Sequence, residues 1–160
     1  MSVNKYQPHL LVLPEDDANR QLANGFVLDQ RVSTRKIQIL EEAGGWGEVL
    51  SRFKSDHVVG MERYNSRYMI LLIDFDGNED RLGKARSVVP DHLRDRVFIL
   101  GAWSEPERLK ADLGSYETIG LAMAKDCREE TDTEAWGHRL LRHNADELSR
   151  LREQVLSIIF

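Results

Sequence analysis

The chain has 160 residues, 41% of them hydrophobic, enough for one domain with a sizeable core. No apolar run is long enough to cross a membrane, and a net charge of −5 argues against a large basic surface that holds nucleic acid unaided. A single cysteine, Cys127, excludes an internal disulfide, and residues 1–7 lack the apolar core of a signal peptide, so the expected compartment is the cytoplasm.

His9-Leu10-Leu11-Val12-Leu13 predicts a first strand ended by Pro14. Glu15-Asp16-Asp17 then opens a helix expected to run through Asn24 and stop at Gly25. Acids in a first turn suit the helix dipole, but three in a row exceed what a cap requires. Ile37 to Leu40 reads as strand two. Gly44-Gly45-Trp46-Gly47 follows, leading into a helix over 48–53; this turn is a weak phosphate-cradle signal beside ordinary turn chemistry. Residues 55–67 read as loop.

Tyr68 to Ile73 is a continuous apolar run, as expected for a strand buried on both faces of a parallel sheet. It ends in Asp74-Phe75-Asp76-Gly77. Two carboxylates beyond the carboxyl end of such a strand stand where ligands bind in open α/β sheets, and their mutual repulsion is relieved by a divalent cation. Ordinary turn and cap chemistry is the competing account of both aspartates. A short helix is expected over 83–89 and strand four over 95–101. Ser104-Glu105-Pro106-Glu107 then has the grammar of a helix start, with a serine cap. Capping accounts for Glu107 and leaves Glu105 unexplained.

From Ser115 the chain reads as helical to its end. Thr131-x-x-Glu134 reads as a capping box, Asn144 as a further cap, and Leu148, Leu151, Val155, Ile158 and Ile159 fall at helical spacing. His138 and His143 lack the spacing of a helical zinc pair, and Cys127 reads as a core residue rather than a nucleophile. No Gly-x-Ser-x-Gly elbow is present.

Glu15 after strand one, Asp74 and Asp76 after strand three and Glu105 after strand four form one acidic set at strand ends. In order and context these residues resemble the Toprim domain of topoisomerases, primases and the overcoming-lysogenisation-defect nucleases. The resemblance covers residues 8–115 and implies a four-stranded, mainly parallel α/β sheet flanked by helices, with residues 116–160 as a helical extension packed on the core or on a partner. It further implies a Mg²⁺- or Mn²⁺-dependent, DNA-endonuclease-type phosphodiester cleavage. Glu15, Asp74 and Asp76 would be its catalytic residues, and Glu15, Asp74, Asp76 and Glu105 its metal ligands. DNA would be the substrate and a larger protein, such as an ATPase in genome maintenance or phage defence, the partner; a homo-oligomer is compatible with the same resemblance. The chain departs from the family pattern at Asp16, where glycine is usual, and at Asn19, where a second acid often stands.

A receiver domain is the competing resemblance, carried by Glu15-Asp16-Asp17, Asp74, Ser104 and Lys125. It would require a fifth strand ending at Lys125. A non-catalytic α/β interaction module is the third reading.

Overall fold

A computed structural model describes residues 2–160. Four strands form one all-parallel sheet: β1 (His9–Pro14), β2 (Ile37–Ile39), β3 (Arg67–Leu72) and β4 (Val97–Leu100), in the order β2-β1-β3-β4. Side-chain alternation divides the strands between two cores. Leu10, Val12, Ile70, Leu72, Phe98 and Leu100 face one apolar cluster, and Leu11, Leu13, Met69, Leu71, Val97 and Ile99 face the other. Burial on both sides is what the unbroken apolar run of β3 requires.

The first cluster is closed by α1 (Asp17–Phe26), α5 (Pro106–Leu113), α6 (Tyr116–Glu129) and α7 (Ala145–Ile159). The second is closed by α2 (Trp46–Arg52), α3 (Val58–Arg63) and α4 (Glu79–Val88). The C-terminal helices thus share a core with the sheet: Ile119, Met123, Leu148, Leu151, Val155 and Ile159 are all buried there. Among the described residues, no helix is long and apolar enough to cross a membrane.

Several sequence expectations are corrected. Gly25 does not stop α1; it lies inside the helix, where a Cβ would fall 2.2 Å from the Glu117 carbonyl oxygen. Gly120 on α6 answers it, with its Cβ position 2.0 Å from the Leu22 carbonyl oxygen. The two glycines let α1 and α6 cross backbone to backbone, a tertiary demand that imitates a helix stop in one dimension. Residues 55–63 are not loop: a π-helical turn (Phe53–His57) continues into α3, with Phe53 and Met61 buried. Helix α4 begins at Glu79, capped by Asn78, whose side chain accepts from the Asp80 N–H.

The expected Ser104 cap is not formed; Glu105 occupies the cap position of α5 without a side-chain bond. Nor does Thr131 begin a helix, because its hydroxyl and the Glu134 N–H both turn back to the Asp126 carboxylate. Asn144 precedes α7 but its amide serves the edge of β4 instead, accepting from the Gly101 N–H and donating to the Gly101 carbonyl. Glu147 extends the same service by accepting from the Ile99 N–H. Side chains of the C-terminal segment therefore satisfy the open edge of β4 where another strand could otherwise pair.

Candidate metal centre

The strand order places a topological switch point between β1 and β3, because the chain leaves β1 toward β2 and leaves β3 toward β4. Ligands in open α/β sheets bind in the crevice beyond the carboxyl ends of the strands at such a point. Register pairs Pro14 with Leu72, so Glu15-Asp16 and Ile73-Asp74 emerge side by side. The Glu15 N–H donates to the Leu72 carbonyl at 2.9 Å, carrying the pairing one residue past the strands.

Each of the three acids that open α1 has a separate task. Asp16 is the N-cap: its Oδ1 accepts from the Asn19 N–H at 2.9 Å. Asp17 turns outward to Arg20 and Gln21. Glu15 reaches across the switch point, and its Oε2 accepts from the Asp74 N–H at 2.6 Å. The Gly44-Gly45 loop does not cradle a phosphate here; the N–H groups of both glycines donate to the Glu15 carbonyl, at 2.8 and 3.1 Å.

Carboxylate oxygens of Glu15, Asp16 and Asp74 consequently lie within 4.8 Å of one another. Asn19, fully buried, ties them together: its Nδ2 donates to Asp16 Oδ1 at 2.9 Å and to Asp74 Oδ1 at 3.2 Å. The second oxygens of Asp16 and Asp74 accept no hydrogen bond from the described residues. The Asn19 Oδ1 is also buried without a donor. Arg81 is the adjacent cation, stacked on Trp46 at 4.8 Å. Its Nη1 donates to the Asp74 carbonyl at 2.8 Å rather than to a carboxylate of the cluster.

Negative groups held this closely, with one shared amide between them, raise the proton affinity of Glu15 and Asp74. Burial pushes the Asp74 carboxyl up to about 7; Asn19 opposes the shift, and the charges of Asp16, Glu15 and Glu107 add to it. Glu15 is raised as well, first by burial and then by Asp16, against the bond from the Asp74 N–H. Tyr116, at the start of α6, is raised by burial and by the charges of Glu107, Asp16 and Asp74, which places its phenol within electrostatic reach of the cluster.

Asp74 and Glu15 are thus brought together as the sequence order suggested, but Asp76 and Glu105 stand outside the cluster. The Asp76 backbone is left-handed, with φ 51°, and its carboxylate is 72% exposed, 3.6 Å from Arg81. The Glu105 carboxylate, also exposed, pairs with Arg108 at 3.3 Å. Phe75 between the two aspartates is buried, stacked at 6.3 Å on Trp103, so the loop turns Asp74 and Asp76 to different surroundings.

No family model, curated protein or solved structure matches the chain. All of the site's donors are hard oxygens, two carboxylates keep one oxygen uncommitted, and among the described residues no side-chain cation sits within 4.0 Å of the three carboxylates. Those properties fit Mg²⁺ or Mn²⁺ rather than a soft metal. The Toprim resemblance leaves Asp16 out of its ligand set, because the family has glycine there, whereas the receiver resemblance counts it among its acids. The available signal was its place as an N-cap directly after a strand. Asn19, Arg81 and Tyr116 carried no motif; only the fold brings them here.

Proposed function

We propose that the chain is a Mg²⁺- or Mn²⁺-dependent phosphodiester-cleaving subunit of the DNA-endonuclease type, resembling Toprim domains and acting with a larger protein partner. The observation that carries this reading is the convergence of Glu15, Asp16 and Asp74 at the β1/β3 switch point. Asp74 and Asp16 would hold the ion through their uncommitted oxygens, with Glu15 completing the set. A bound divalent ion supplies charge neutralisation of a phosphodiester and lowers the pKa of a water in its coordination shell.

The chain's own residues account for the remaining needs. Asn19 fixes the Asp16 and Asp74 carboxylates in one orientation, and the Asp74 N–H fixes Glu15. Glu15, its proton affinity raised by burial, is suited to accept a proton from an attacking water. Arg81, over the Trp46 ring and beside Asp76, would offer its guanidinium to an approaching phosphate.

The departures at Asp16 and Asn19 are consistent with such a centre. Asp16 adds a carboxylate where the family has glycine, and Asn19 supplies an amide that binds two carboxylates in place of a further acid. The receiver reading shares Glu15, Asp16 and Asp74 with this one, but not its lysine or its fifth strand. Lys125 lies on α6 with its ammonium 2.9 Å from Glu134, and the sheet has no fifth strand among the described residues.

The test joins binding to cleavage. Calorimetric titration with Mn²⁺ and nicking of supercoiled plasmid, with and without copurifying partner, should both be positive for the native chain and lost in Asp74→Ala. Absence of divalent binding together with absence of cleavage would overturn the proposal. A phosphoryl adduct on Asp74 after acetyl phosphate treatment would point to the receiver reading instead.

A further inference from the structure

The opposite end of the sheet, at the amino ends of β1 and β3, has a contrasting surface. Tyr64, just before β3, is ringed by cations: Arg67 lies 4.8 Å from its ring centre, Arg63 5.5 Å and Lys5 5.7 Å. Among the described residues none of the three has a carboxylate within 4.0 Å, although the chain carries 27 acids against 22 lysines and arginines. Neighbouring acids are engaged elsewhere: Glu62 faces His92 at 3.2 Å, and Asp56 accepts from the Ser55 hydroxyl. Tyr6 stands edge-on to Tyr64 at 5.9 Å and is 81% exposed, the most exposed of the large hydrophobic side chains.

This surface is held rigidly. Arg67 Nε donates to His9 Nε2 at 2.9 Å, and the other ring nitrogen of His9 is 2.7 Å from the Gln7 carbonyl, which makes Nδ1 the protonated one. Neutral His9 therefore adds no competing charge, and its pKa is lowered by burial and by Arg67. Arg96 binds the Met61, Tyr64 and Arg67 carbonyls at 2.8, 3.1 and 2.8 Å, fixing the chain that carries Arg63 and Tyr64. Arg67 places its guanidinium against Gly60 of α3, and among the described residues its terminal nitrogens have no hydrogen-bond partner. Burial lowers the Arg67 pKa without displacing it from the charged form at neutral pH.

We propose that this pole, built from Lys5, Tyr6, Arg63, Tyr64 and Arg67, is a binding site for single-stranded nucleic acid. Its two components divide the work. Uncompensated guanidinium and ammonium groups take the phosphates, and the exposed face of Tyr6 takes an unpaired base by stacking. An acidic peptide would satisfy the cations but has no use for the exposed tyrosine face, and a duplex keeps its bases inaccessible to it. The site lies at the far end of the strands from the acidic cluster, about 20 Å away for six residues of strand, and does not depend on it.

Fluorescence anisotropy with a labelled oligothymidylate of about twelve nucleotides, in EDTA, tests the site with the metal centre silent. The full chain should bind, and the logarithm of affinity should fall with that of salt concentration with a slope of about −2 for three phosphate contacts. Tyr6→Ala should weaken binding roughly fivefold or more, and Tyr6→Phe should restore it. Lys5→Gln with Arg63→Gln should flatten the salt slope, and circular dichroism checks that these surface variants fold. A matched oligouridylate distinguishes RNA from DNA as the source of the strand, and preference for either supports the site. No binding, binding indifferent to Tyr6→Ala, or equal binding of oligoglutamate would overturn it.

Discussion

Asp74 and Asp126 are both withdrawn from solvent, yet their surroundings are opposite. Asp126, on α6 and wholly buried, accepts from the N–H groups of Glu134, Ala135 and Trp136 and from the Thr131 hydroxyl. Burial alone would raise its pKa, but these donors, Ala135 first, outweigh it and the net shift is downward. Asp74 receives one side-chain bond, from Asn19, and faces two further carboxylates; its pKa goes up to about 7. The contrast separates two uses of an acid drawn away from solvent. One is fully satisfied by the protein and organises a loop. The other is left short of positive partners, as a group must be if its partner comes from outside.

The largest expected effect comes from breaking the satisfied member. Asp126→Ala strips the buried N–H groups of Ala135 and Trp136 of their acceptor, and should cost about 3 kcal/mol or more in denaturant unfolding. Its stabilising effect is present above the ordinary aspartate pKa and is lost as pH falls through the lowered folded value.

Asp74→Asn should act in the other direction on the metal-free protein. Because the folded pKa of Asp74 is raised, the folded state keeps a proton that the unfolded chain releases between 3.8 and about 7. Stability of the native chain in EDTA should therefore fall as pH rises through that window, as read from thermal unfolding. Asp74→Asn should flatten the fall. Mn²⁺ should reverse it in the native chain only, and its affinity should rise with pH up to about 7.

The smallest effect sharpens the comparison at its exposed edge. The Asp76–Arg81 pair is 3.6 Å long with Asp76 72% exposed, so Asp76→Ala should change stability by no more than about 0.5 kcal/mol and leave calorimetric Mn²⁺ binding in place.

Much of the scaffold could be read from one dimension. The apolar runs at β1, β3 and β4 depend only on local composition and period, and they mark strands buried on two faces. Glu15 and Asp74 followed from the same logic, since a carboxylate after a buried parallel strand must emerge at its carboxyl end. Features that depend on a distant partner are not local. Gly25 has the form of a helix stop, yet Glu117 packs against it; Thr131 and Asn144 have the form of caps, yet Asp126 and Gly101 engage their side chains.

The sequence by itself determined the α/β class, the strands and the position of Glu15 and Asp74 at strand ends, because side-chain period and chain polarity are local properties. Only the tertiary structure decided that Asp16 joins them while Asp76 does not, that Asn19 binds two carboxylates at once, and that Tyr64 gathers three unpaired cations. Those outcomes depend on which residues strand register and helix crossing bring within a few ångströms, and charges interact through that distance rather than along the chain.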